Sequence, residues 1–174
     1  MSDEKEINPS WRLMGVLLRH GSVYVEEGAE PSCYELETCD FQLYENTEVI
    51  EELTPEEGGP NPERYAYFAE HYCGTRLFPK QADPYQEGFV PDIEISARFR
   101  AVYSSQGPIS EHEFDELHKL KAGEHVAPHW LAFLIYACQS IGLNMPPEAL
   151  CLHTMKLAAS EKHGGGVPGT HRWH

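Results

Sequence analysis

An α+β fold, an antiparallel sheet followed by a covering helix, is what this sequence predicts, and three observations carry the prediction. Residues 93–103, IEISARFRAVY, alternate strictly, with Ile93, Ile95, Ala97, Phe99, Ala101 and Tyr103 opposed to Glu94, Ser96, Arg98 and Arg100. Residues 126–142, VAPHWLAFLIYACQSIG, carry an apolar stripe at helical spacing through Val126, Trp130, Phe133, Leu134, Ala137, Cys138 and Ile141. Strand signals come first along the chain and helix signals last, the order of an α+β layout rather than of repeating βαβ units.

Each element has its own signature. Residues 1–10 are polar and read as a loose arm ahead of the folded domain, residues 11–152. Trp11 to Glu27 is rich in β-formers and predicts a long strand, kinked at Gly15 or Gly21. After a turn at 28–32, Tyr34 to Glu45 resumes as a strand, with Cys39, Phe41 and Leu43 alternating against Thr38, Asp40 and Gln42. Thr54–Pro62 is a loop by composition. Glu63 to Phe78 is ambiguous: ERYAYFAEHY suits a short helix and TRLF a strand. Residues 79–91 hold three prolines and read as a long irregular connection.

The helical half begins at Ser110, which with Glu113 forms a capping box. Phe114, Leu117 and Leu120 supply that helix's apolar edge, and Gly123 is placed to close it. A second helix then starts with Pro128 in its first turn, where a missing N–H costs nothing, and ends at Gly142. That second helix is apolar nearly all the way round, because Ala127, Leu131, Ile135 and Tyr136 occupy its other side. It needs a second cover beyond the sheet. Residues 153–174, rich in Gly and His, read as a tail unable to fold alone.

Composition narrows the function. The 174 residues carry 28 acidic and 13 basic side chains, a net charge of −15. The charge is uneven, −13 over residues 1–70 (17 acidic, 4 basic) and −2 over the remainder (11 acidic, 9 basic). Such a field disfavours nucleic acid and anionic lipid and favours cationic partners. No apolar run reaches the ~20 residues that span a bilayer. Five cysteines with no CxxC pair, behind a polar N-terminus, suit reduced thiols in the cytoplasm.

Chemistry-bearing motifs are scarce. His118, His125 and His129 raise a metal or acid–base site, but the HExxH arrangement is absent. His163, His171 and His174 lie in the tail and lack preorganisation. There is no G-x-S-x-G, P-loop or G-x-G-x-x-G, and Gly164–Gly166 neither follows a strand nor opens a helix. No basic neighbour is evident beside Cys33, Cys39 or Cys73 to activate a thiol. The expectation is a protein without catalytic residues, metal or cofactor.

The succession RFRAVY, then ISEHEFDELHKL, then VAPHWLAFLIYACQSIGLNMPPEALCL resembles the SecB family of export chaperones over residues 93–152. It departs from the family at His129–Ala132, where an aromatic and an arginine often follow the proline, and at Glu148–Leu150, where a Leu-Pro is usual. The resemblance implies a four-stranded, Greek-key-like antiparallel sheet with one short and one long C-terminal helix. It also implies a dimer of dimers with the long helices at the interface, through Phe133, Leu134, Ala137 and Ile141. Unfolded polypeptide clients would lie in apolar grooves, for which the candidates are Phe99, Tyr103, Phe114, Leu117 and Trp130. An acidic face meeting a translocase ATPase would use Glu35, Glu37, Asp92 and Glu94. Two rivals stand beside this export holdase: a SecB-like module dedicated to one partner, of antitoxin or phage type, and a small His-based metal- or ligand-binding enzyme.

Overall fold

Four strands make one antiparallel sheet: β1 (Trp11–Val25), β2 (Cys39–Leu53), β3 (Tyr65–Pro79) and β4 (Ile93–Ser105). They stand in the order β1-β4-β3-β2. The computed structural model describes residues 10–53 and 64–151. The arm before Ser10, the loop at 54–62 and the tail from Leu152 therefore lie outside the described residues. Strands β2, β3 and β4 form a meander, and β1 returns to pair with β4, which is Greek-key connectivity. The β1–β2 crossover passes through a 3-10 turn at Pro31–Cys33.

The alternation in β4 is complete. Every odd residue from Ile93 to Ser105 is buried and every even one half-buried. Its register with β3 places Ile93, Ile95, Ala97, Phe99, Ala101 and Tyr103 opposite Leu77, Thr75, Cys73, His71, Ala69 and Tyr67, all on one face. The sequence left Glu63–Tyr72 open to a helix, yet Tyr65–Tyr72 is strand and Glu63 lies outside the described residues. The period-2 signal of β3 is blurred because both of its faces are covered. β2 begins at Cys39, five residues later than expected, and runs on to Leu53. β1 has register irregularities at Leu13/Gly15 and Leu18/His20, close to the expected kinks.

Behind the sheet runs one continuous helical stretch. α1 (Glu111–Glu116) opens on the Ser110–Glu113 capping box, with both reciprocal hydrogen bonds present. A π-turn, Leu117–Lys121, joins it to α2 (Ala122–Ile141) without a break. Gly123 is thus a buried interior residue of α2 and closes nothing. Pro128 likewise sits inside the helix, where it leaves the Glu124 carbonyl without its helical N–H. Gly142 ends α2 in the left-handed region at φ 73°, and the Leu143 N–H donates to the Cys138 carbonyl at 2.9 Å. No described helix is long and apolar enough to cross a membrane.

α2 covers the sheet face bearing the odd residues of β4. Its buried side, Val126, Trp130, Leu134, Ala137 and Cys138, joins Phe99, Tyr103, Leu77 and Ile95 in one core. Phe133 settles directly over Gly21 of β1: a β-carbon at Gly21 would stand 2.6 Å from the phenyl ring. Glycine there is a packing requirement, the price of letting a helix approach an edge strand.

Candidate functional site

The π-turn shapes an open cleft in the described surface. It carries His118, Lys119 and Leu120 alongside the inner margin of β2, leaving a cleft of about 590 Å³. Glu45, Asn46 and Thr47 line one side; His118, Lys119, Leu120, Gly123, Glu124 and Ala127 line the other. π-Turns inside helices are frequent at functional sites, since the extra residue displaces side chains from the regular helical path.

At the floor lies His71, 3% exposed on β3. Its Nδ1 is 2.6 Å from Thr47 Oγ1, and its Nε2 is 3.9 Å from a Glu45 carboxylate oxygen. Across the opening, Lys121 donates to Glu124 at 3.0 Å. Leu120 is 59% exposed, an apolar side chain held in water at the lip. The cleft is open and of mixed polarity. It offers hydrogen-bonding partners along both walls, with Leu120, Gly123 and Ala127 as small or apolar residues among them, which suits an extended chain segment better than an enclosed small molecule.

The histidines raised by the sequence go separate ways. His118 lines the cleft, while His125 meets Trp11 edge to face and approaches the Tyr103 hydroxyl at 3.1 Å through Nδ1. His129 is exposed on α2. Among the described residues no three His, Cys, Asp or Glu side chains stand together as a metal site. Burial depresses the His125 pKa. It raises the Cys39 and Cys73 thiols above the ordinary range and pushes Cys138 up to about 11. These three are packing residues.

The residues expected to touch clients are mostly interior. Phe99, Tyr103, Leu117 and Trp130 are each at most 4% exposed and belong to the core, so in this chain they hold the fold together. Phe114 alone of the five is exposed, on α1. The expected interface residues divide similarly. Leu134 and Ala137 are fully buried against the sheet and Phe133 leans on Gly21, while Ile141 is half-buried. The outward side of α2 is instead Ala132, Ile135 and Tyr136, the last 69% exposed. A helix apolar on every side does not say in its sequence which side meets its own sheet.

The four acidic residues do not form one face. Tyr34 donates its hydroxyl to Asp92, bringing the crossover with the exposed Glu35 and Glu37 toward the start of β4. Glu94 is turned to the outer face of the sheet. It accepts from Arg76 at 3.0 Å and from the Tyr44 hydroxyl at 2.7 Å, and burial with that bond pushes the Tyr44 pKa up to about 12. Around it the outer face is a lattice of cations on rings: Arg76 over Tyr44, Arg98 over Tyr72 and Arg100 over Phe68. At its centre Glu70, with 0% exposure, accepts from Arg98 at 2.7 Å and Arg100 at 2.5 Å. That surface is internally neutralised rather than acidic.

The cleft itself went unread in the sequence. A π-turn has no composition signal, and His71 could be placed inward only once β3 was known to be a strand.

No family model and no curated protein matches this chain. Among solved structures it is similar to a Mycobacterium tuberculosis SecB-like chaperone in complex with a ChAD peptide from an antitoxin. The TM-score is 0.55 and the identity 10%, over 77% of this chain and 85% of that one. The fold, a four-stranded antiparallel sheet with one long C-terminal helix, is SecB-like at a distance that leaves almost no sequence in common.

Proposed function

We propose that this chain is a cytoplasmic holdase chaperone that binds non-native polypeptide in the cleft between β2 and the π-turn. The observation that carries the reading is an open, mixed-polarity cleft on a fold shared with a chaperone that has a peptide bound. Leu120 and Ala127 offer apolar contact worth roughly 25 cal/mol per Å² buried, without any readout of sequence. Asn46 and Thr47 offer polar partners for an extended backbone.

A second copy of the chain would cover the exposed apolar residues elsewhere, Ile135 and Tyr136 on α2 and Met14, Leu17 and Leu18 on β1. Delivery of preproteins to a translocase ATPase is the finer form of this reading, with Glu35, Glu37 and Asp92 left to meet it. The rival finer form is a module dedicated to one partner, and the antitoxin peptide of the structural neighbour favours it.

The test is light scattering from a reduced, unfolded model protein. Suppression of aggregation near stoichiometric ratio is expected, and none at several-fold excess would overturn the general holdase. Native mass spectrometry checks the assembly, for which a strict monomer is the contrary result.

A further inference from the structure

The cleft is half of a longer gap, and the other half is already filled by this chain. Beyond Gly142 the backbone turns back along β2. The Asn144 side chain donates to the Ser32 carbonyl at 3.3 Å, and Met145 Sδ lies 3.8 Å from the thiol of Cys39, the first residue of β2. Further on, Leu150 is wedged beside Leu43 and Cys73 of the sheet and Val126 and Trp130 of α2, and Cys151 is 1% exposed. Residues 143–151 therefore run in the direction of β2, closing the space between β2 and α2 as they go. Leu150 shares its surroundings with Glu45, His71 and Ala127, and those same three residues form the near end of the cleft.

We propose that the next segment, Leu152–Leu157, is the resting occupant of that cleft. The backbone at Cys151, the last described residue, is extended, at φ −112° and ψ 112°. Six more extended residues cover about 20 Å at ~3.3 Å each. The segment carries three large apolar side chains, Leu152, Met155 and Leu157, and one cation, Lys156. Met155 and Leu157 match the apolar side chains of Leu120 and Ala127 in the lining. Lys156 suits the carboxylates of Glu45 and Glu124 on either side. Past Leu157 the chain reads AASEKHGGGVPGTHRWH, with no large apolar residue before Val167, which sets the end of the occupant. Occupancy stands on this geometry alone; its consequence, that a client must displace the segment, rests on the chaperone reading.

The experiment uses the full chain with a benzoylphenylalanine photo-cross-linker at position 155, in an equimolar mixture of isotope-labelled and unlabelled protein. Cross-links within one molecule to residues 45–47 and 118–124 are expected. Cross-links elsewhere, between molecules, or no more frequent than from a linker at position 173 overturn the proposal. A second arm measures binding of a fluorescent unfolded protein to the triple variant Leu152→Ser, Met155→Ser, Leu157→Ser. A segment that fills the cleft ~90% of the time weakens client binding about tenfold, so the variant binds about tenfold tighter. Intramolecular cross-links with unchanged client affinity uphold the occupant and count against the cleft as client site. Client binding without those cross-links does the reverse.

Discussion

The two faces of the sheet are covered by different means. The inner face is closed by another element: α2 lays Trp130, Leu134 and Ala137 on the apolar residues of β3 and β4. No described helix lies over the outer face, yet Glu70 there is as inaccessible as Leu134. It is sealed by its own strands, with Arg98 and Arg100 folding over the carboxylate while resting on Tyr72 and Phe68. Long arginine stems and aromatic rings supply apolar cover, and the guanidinium groups supply charge. An antiparallel sheet can thus bury a carboxylate on its solvent side, provided the partners are rigid and planar.

The largest effect is expected on the inner face. Trp130→Ala removes a buried ring stacked on Phe133 at 5.9 Å between centroids, and a loss of about 4 kcal/mol is expected in urea unfolding. Glu70→Ala leaves two arginines without their shared acceptor and costs about 3 kcal/mol. If the outer lattice were ordinary solvated surface, that cost would stay below about 0.5 kcal/mol. Gly21→Val drives a side chain into the Phe133 ring and costs about 2 kcal/mol, less if α2 shifts outward.

The smallest effect is a pH dependence. Burial lowers the His125 pKa in the folded state, so the unfolded chain binds the proton more readily. Stability from this group is full above the unfolded value of about 6.5 and declines as pH falls through it toward the folded value. His125→Gln should flatten that stretch of the stability–pH curve. An unchanged curve would mean that some other group carries the slope.

The same difference between faces explains what could be read in the sequence. β4 was legible because its two sides differ in kind, apolar residues against Glu94, Ser96, Arg98 and Arg100. The capping box at Ser110 and the αL end at Gly142 were legible because each rests on local chemistry. β3 was not, since an outer face sealed by Phe68, Tyr72 and Glu70 spells YAYFAEHY, apolar or aromatic at both parities. For the site the sequence offered less. Four of five expected client contacts became core, because apolar residues on a half-covered sheet look alike whether they face a helix or a ligand. The cleft depends on a π-turn, which arises from tertiary packing and leaves no mark in composition.

The central claim is that the cleft between β2 and the π-turn receives non-native polypeptide, and Leu120→Asp tests it most directly. Leu120 stands at the lip, 59% exposed, so the substitution should leave unfolding stability within about 0.5 kcal/mol of the parent. The measurement is the dissociation constant for a fluorescent unfolded protein, on parent and variant side by side. At least a tenfold weakening is the predicted result, since a charge replaces apolar contact where the client is to be desolvated. Equal affinity of the two chains, with the fold intact, would contradict the account.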